Sequence, residues 1–381
     1  MRIIHCCLSC FYIDDYTYQE NMLVRQHVDM GLDVLVIAST EIYNSNHQLD
    51  YTKPMQYIGT DGAKVVRLPY QGFFPSSIKK KIRTYPGVYK LLEEFSPDVI
   101  MFHGPCSWEL LTVAKYIQNN RSVKLYVDSH EDQYNSARNW YARIFLYSMF
   151  YVPIISFAKK YVDKFFYLSY ECKLFCQKIY GLKENELEFY PLGGVVFDDV
   201  EYFERRALKR TELNIDGSNI MFFQSGKFDK KKKLLQSIIA FKSNDSPSAR
   251  LVIAGGFDPE IESEAKQLIC SDERINYIGW VNPEQLQDLL CAADVYVQPG
   301  SQSATLQMSI SARCAVIVDD VPSHRYIIKG NGIFVSSDED LARAYYALIE
   351  APDMVSNMSR KSFDFASDKL DYKKLAERLL K

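Results

Sequence analysis

Short apolar runs alternate with amphipathic stretches through most of the chain. This predicts strands at residues 2–8, 33–39, 63–68, 98–102, 124–128, 164–169 and 187–190. Helices are predicted between them at residues 18–30, 88–95, 109–118 and 171–180. Residues 191–194 break the pattern, and residues 196–218 are polar, charged and poorly periodic, which fits a linker. The alternation then restarts, with strands at 220–224, 250–254, 275–278, 292–297, 314–318 and 332–335 and helices at 234–241, 259–269, 283–292, 337–350 and 370–380. Strands alternating with helices predict an α/β fold of two Rossmann-like, doubly wound domains with parallel sheets. The expected domains are residues 1–192 and 193–361, with residues 362–381 returning to the first and their helix packing on it. A cleft at the carboxyl edges of such sheets is the usual ligand position.

The apolar run ending at Val297 stops at Pro299-Gly300, and a hydroxyl-rich loop, Ser301-Gln302-Ser303-Ala304-Thr305-Leu306-Gln307, opens the next helical pattern. A loop between a strand end and a helix start presents amides and a dipole that favour an anion, and Ser301 or Ser303 can cap the helix. The reading is a phosphate loop. Gly226-Lys227 ends another strand, and Lys230 to Lys233 open the next helix. Lysine at such a junction is a point-charge phosphate ligand, although most charge runs are solvated faces. The GxxxxGK[ST] order is absent. Gly255-Gly256, after Leu-Val-Ile-Ala, allows a close backbone approach or a sharp turn.

In the first half, His103 and His130 each follow an apolar strand and are candidates for proton transfer or hydrogen bonding. The segment from Asp14 to Asn21 lacks the glycines of a dinucleotide fingerprint; its acids, amides and tyrosines suit hydroxyl-rich ligands or helix capping. Cys7-x-x-Cys10 stands without a second pair, so metal or redox use is not expected.

Composition narrows the class. A net charge of −3 argues against a nucleic-acid partner, and nine scattered cysteines read as reduced thiols of a cytosolic protein. No signal peptide or membrane span is visible. Two stretches point toward a membrane surface, at the inner face: the basic Ser77-Ile-Lys-Lys-Lys-Ile-Arg83, and residues 140–166, rich in aromatics with interspersed lysines and broken by Pro153. A pair of core-facing helices is the competing reading of the second.

Three segments resemble a GT-B glycosyltransferase of the large retaining family 4. Gly226-Lys227, Lys232 and Ala240 resemble the family's phosphate segment, with Lys233 in place of the usual Gly. Ile278-Gly279-Trp280-Val281 with Ala293-Asp294-Val295 resembles the run before the nucleotide loop, and residues 299–318 resemble the loop itself. His103 and His130 match two first-domain histidines, the later lying near the donor sugar in relatives, and Tyr18-Gln19-Glu20-Asn21 is similar to a polysaccharide-assembly subset. Counting from Pro299, the two family glutamates fall on Ser303 and Ser311, so the ribose and sugar contacts must differ.

The resemblance implies transfer of a sugar from a nucleotide-diphosphate sugar to a glycan or lipid-linked glycan, with retention of configuration, in cell-surface polysaccharide or glycoconjugate synthesis. It implies no metal or other cofactor. His130, Lys227 and Lys232 become the catalytic candidates. Gly226, Gly255, Gly256, Trp280, Val281, Ser301 to Gln307 and Ser311 become the donor-binding candidates, the diphosphate lying on the amides of Ser303 to Leu306. Tyr18, Gln19, Glu20, Asn21 and His103 become the acceptor-side candidates. The missing glutamates leave open two alternatives, a nucleotide-sugar epimerase and a degenerate, non-catalytic binding partner.

Overall fold

A computed structural model describes residues 1–44, 48–73, 75–133, 135–137 and 139–381. The chain forms two compact units, Met1–Pro191 with Leu375–Lys381, and Leu192–Lys374.

The first unit is built on an eight-stranded sheet. Its spatial order is Leu187–Phe189, Lys164–Tyr167, Lys124–Ser129, Val99–His103, Arg2–Cys7, Asp33–Ser39, Lys64–Leu68 and Met55–Ile58. All neighbours are parallel except the last pair. The central strands are buried on both faces, as helix-covered parallel strands must be. Strand order reverses between Arg2–Cys7 and Val99–His103, and ligands of doubly wound sheets sit at the carboxyl ends beside such a reversal.

The second unit has a six-stranded, wholly parallel sheet. Its order is Ile275–Tyr277, Ala249–Phe257, Ile220–Phe228, Val295–Gln298, Ala315–Asp319 and Gly332–Val335. The reversal here falls between Ile220–Phe228 and Val295–Gln298. Their carboxyl ends lead into the lysine turn and the hydroxyl-rich loop, so topology brings together two segments about seventy residues apart. One apolar core, including Phe222, Phe241, Val297, Ile317 and Tyr345, supports this face of the sheet.

Four expectations are corrected. Residues 196–218 are not a linker: Asp199–Glu212 is a helix, capped by the Asp198 carboxylate accepting from the Glu201 amide at 2.9 Å. Its buried residues are one tyrosine, Tyr202, and one arginine, Arg210, in place of an apolar stripe. Arg206 and Arg210 converge on the Asp294 carboxylate, which also accepts from the Met221 amide at 2.7 Å, and Arg205 pairs with Asp288 at 2.7 Å. Residues 362–374 belong to the second unit. An unforeseen helix, Pro352–Lys369, packs on Thr305–Ser311 and Ala315–Asp319 through Val355, Met358, Ser362 and Ala366. That stripe has helical spacing but includes a serine, which donates to the Cys314 carbonyl at 2.6 Å. The return to the first unit starts at Leu375, whose carbonyl accepts from the Tyr190 hydroxyl at 2.8 Å.

Pro153 does not break the aromatic segment. A π-helix, Ala142–Tyr151, runs directly into the α-helix Val152–Ala158, and the proline falls just after the change of pitch. Finally, strands Ile220–Phe228 and Ala249–Phe257 run further than expected, so Gly226, Lys227, Gly255 and Gly256 lie inside paired strands. An ideal Cβ on Gly255 would lie 1.8 Å from the Gly226 carbonyl oxygen, and Gly255 has a φ of +139°. Its role is close strand packing, not ligand approach.

Candidate functional site

In the second unit, the lysine turn folds onto the loop. Asp229 caps a single 3-10 turn, Lys230–Lys232, by accepting from the Lys232 amide at 3.0 Å. Lys233 then takes a left-handed backbone, φ 52°, before helix Leu234–Lys242. That conformation explains why the resembling pattern has glycine at this position. The Lys231 carbonyl accepts from the Ser301 amide at 2.9 Å, and an ideal Cβ on Gly300 would lie 2.0 Å from that same oxygen. Lys232 reaches across, its ammonium donating to the carbonyls of Ser301 and Gln302 at 3.1 and 3.2 Å.

The neighbouring lysines are used differently. Lys230 pairs with Glu260 and Lys233 with Asp319, whereas among the described residues no carboxylate lies within salt-bridge distance of the Lys232 ammonium. Lys232 is half-buried, and burial lowers its pKa from the ordinary value, with Asp229 opposing. A partly desolvated cation held only by carbonyls is a site that gains from an anion. Lys227 is exposed at the end of its strand.

The loop itself uses part of its expected donor set. The Thr305 amide donates to Ser303 Oγ at 3.3 Å and the Leu306 amide to the Ser303 carbonyl at 3.1 Å, so two of the four amides expected for phosphate are engaged inside the turn. Ala304 occupies the N-cap position of helix Thr305–Ser311 and has no side-chain cap of its own, and the Ser303 hydroxyl one residue earlier accepts from the first-turn Thr305 amide, as the expected serine cap would. Ser301, Gln302 and Ala304 are exposed, Ser303, Thr305 and Gln307 half-buried, and Leu306 is buried. Ser311 is also buried, pressed against Gly194, where an ideal Cβ would lie 2.2 Å from its hydroxyl oxygen. It is thus a packing residue, which corrects its place among the donor ligands. Trp280 is 68% exposed beside Gly256, and Val281 is half-buried.

In the first unit, His103 is fully buried and so is not an acceptor contact. It belongs to a chain that sequence reading missed. His103 Nδ1 lies 2.8 Å from Asp128 Oδ2, its Nε2 3.0 Å from His5 Nδ1, and His5 Nε2 2.9 Å from His27 Nδ1. His27 Nε2 ends the chain 3.1 Å from the Ala376 carbonyl. His130 Nε2 stands on the other side of Asp128, 3.5 Å from Oδ2, with its side chain 35% exposed. The signal available in sequence was alternation: His5 lies inside an apolar strand, where a polar residue needs a partner.

The charges follow the geometry. Burial alone would lower His103, but the Asp128 charge and hydrogen bond carry it up to about 10. Burial opposes and the same carboxylate raises His130, to about 9. Burial would raise Asp128, but His103 and His130 hold it well below the usual carboxylate range. Burial, then the neighbouring imidazole charges, lowers His5, and burial lowers His27 to about 4.

Tyr18 is 41% exposed, but Gln19, Glu20 and Asn21 are buried in the first turn of helix Gln19–Asp29. Asn21 donates to the Ile13 carbonyl at 2.9 Å. With Asn21 pinning the preceding loop and Gln19 and Glu20 buried, Tyr18 is the exposed member of this acceptor-side set. Cys7 and Cys10 are free thiols.

Residues 205–364 match the family described as Glycosyl transferases group 1. No curated protein matches the chain. Solved structures are similar over the whole length. Sucrose-phosphate synthase from Thermosynechococcus elongatus is 13% identical with a TM-score of 0.62, covering 100% of this chain and 97% of its own. Anabaena HepE in complex with UDP is 14% identical with a TM-score of 0.64, covering 100% and 98%. WaaG, a glycosyltransferase involved in lipopolysaccharide biosynthesis, is 16% identical with a TM-score of 0.60, covering 99% and 98%. The fold is that of GT-B glycosyltransferases, and the matched domain supports a glycosyltransferase.

Proposed function

We propose that the chain transfers a sugar from a nucleoside-diphosphate sugar to a glycan or lipid-linked glycan, with retention of configuration. The observation that carries this is Lys232, a half-buried cation without a carboxylate partner, fixed over the loop at the sheet's reversal point. Such a charge, positioned before ligand arrives, stabilises the negative charge that develops on a leaving diphosphate. Lys227 adds a second, exposed cation, and the exposed Trp280 offers a face for a base. HepE, of similar fold, is known with UDP bound, which supports a uridine donor as the first to test. The first unit supplies the acceptor-side groups, with His130 as its catalytic candidate and Tyr18 as its exposed aromatic.

A panel of UDP, GDP, ADP and CMP in a thermal-shift measurement tests the donor class. A bound ligand raises the transition by about 2.7 kcal/mol of stability at 100 times its Kd. One nucleoside diphosphate is expected to stabilise selectively; if no diphosphate does, the reading of the loop is wrong.

The acceptor class rests on a surface of the first unit. Trp140, Tyr141, Ile144, Phe145 and Met149, on and just before the π-helix, are 45–65% exposed, while Tyr147 and Tyr151 of the same helix are buried. The Tyr151 hydroxyl donates to the Lys81 carbonyl, which ties this face to the basic helix Ser76–Ile82, none of whose side chains is buried. Aromatics flanked by lysines suit an anionic membrane surface. No helix among the described residues is long and apolar enough to cross a membrane. Sedimentation with phosphatidylglycerol vesicles is expected to carry the protein down. Replacing Trp140 and Phe145 by Ser is expected to abolish this, and salt to weaken it. Equal recovery with neutral and anionic vesicles would refute the charge component.

A further inference from the structure

Four of the six histidines lie in the cluster around Asp128. The order of their hydrogen bonds requires one doubly protonated ring among His27, His5 and His103, and contact with the Asp128 carboxylate favours His103 for it. At the far end, the Ala376 carbonyl can only accept, so His27 must carry its proton on Nε2. With His27 and His5 neutral, as burial and the neighbouring imidazole charges favour, His27 Nδ1 accepts from His5 Nε2 and His5 Nδ1 is left as an acceptor. His103 must therefore donate from Nε2, and it also donates from Nδ1 to the Asp128 carboxylate. An imidazole donating from both nitrogens is an imidazolium. The other Asp128 oxygen accepts from the Gly104 amide at 2.8 Å, so the carboxylate is held in a fixed plane.

We propose that Asp128 and the buried histidines behind it are positioning residues for His130: the chain from the Ala376 carbonyl through His27 and His5 sets a doubly protonated His103 against Asp128, and so presents Asp128 to His130 as an oriented anion. Because a peptide carbonyl cannot take up a proton, no proton leaves the chain at its Ala376 end, and the chain acts as a lock on Asp128. The Ala376 end belongs to the segment Leu375–Lys381 that returns to this unit, where Arg378 donates to Glu188 and to the Phe189 carbonyl. Docking of the last seven residues and the state of His130 are thereby linked. Other groups act on the cluster: Glu20 from helix Gln19–Asp29 and Glu131 from the following loop add negative potential at His130, and Cys7 and Glu20 do so at His103. None interrupts the chain.

The role of His130 in transfer rests on the proposed function; the proton arrangement does not. The test uses the full chain labelled with 15N at histidine. Ring-nitrogen spectra near pH 7 are expected to show His27 and His5 as neutral Nε2-protonated tautomers and His103 doubly protonated. A neutral His103, or Nδ1-protonated His5, would overturn the proposal without any variant being made. In Asp128→Asn, the His130 titration is expected to fall by about 1–3 pH units, the size of an opposite charge within 4–6 Å. The alkaline limb of the rate of nucleoside diphosphate release is expected to move down with it, KM for the donor staying unchanged. Unaltered His130 titration in that variant would also overturn the proposal. If the spectra are as expected but His130→Ala keeps full activity, the proposed role of His130 fails while the lock stands.

Discussion

Lys232→Ala is expected to lower kcat/KM by roughly 10²–10³, the cost of removing one preorganised group that stabilises developing charge. The argument depends on what the other lysines do. Lys230 and Lys233 have carboxylate partners, so their charges are already balanced. Lys232 donates only to the Ser301 and Gln302 carbonyls and is partly desolvated, so its field is directed at whatever occupies the loop. Lys230→Ala, at an exposed pair, is expected to change little, since such pairs contribute about 0–1 kcal/mol. Lys232→Arg keeps the charge, but the planar fork does not match two adjacent carbonyls as a compact ammonium does, so partial recovery is expected. Steady-state rates and nucleotide affinity for the three variants decide the matter. Undiminished affinity for nucleoside diphosphate in Lys232→Ala would place the phosphates elsewhere.

Gly300→Ala is expected to destabilise the second unit by about 1–3 kcal/mol, as overpacking does, and to weaken nucleotide binding as well. The added methyl would meet the Lys231 carbonyl oxygen 2.0 Å away, and that carbonyl is held by the Ser301 amide. Relief requires the loop to move off the lysine turn, which takes the Ser301 and Gln302 carbonyls away from Lys232. Gly217→Ala is the control: nothing lies within 4 Å of its added methyl, and its backbone is not left-handed. Chemical denaturation of both variants, with a nucleotide titration of each, reads the two effects separately. Wild-type behaviour of Gly300→Ala would show that the loop and the turn are not rigidly apposed.

The two effects share a cause that is only half local. The loop and the lysine turn were each visible as a junction between an apolar run and a helix, because strand and helix periodicity are properties of neighbouring residues. Their apposition follows from strand order, which no local pattern states. The same division explains the corrections. Helix Asp199–Glu212 lacks a clear apolar stripe and depends on Asp288 and Asp294, 83 to 88 residues away. Helix Pro352–Lys369 hides a serine in its buried stripe, and that serine is satisfied by a carbonyl 48 residues back. Ser311 looks like a ligand by position and is a packing residue because Gly194 lies against it.

By itself the sequence determined the class of fold, the two-part division, and the two strand-to-helix junctions proposed for phosphate, because apolar runs, glycines and lysines act through neighbours within a few residues. Only tertiary structure decided which lysine of the turn is half-buried with no carboxylate in reach among the described residues, which glycine is there for strand packing, and which histidines meet. His5 and His103 are 98 residues apart and His27 and Ala376 are 349 apart. Hydrogen bonds between such groups form because burial makes an unpaired polar atom costly, and burial is a property of the assembled sheet.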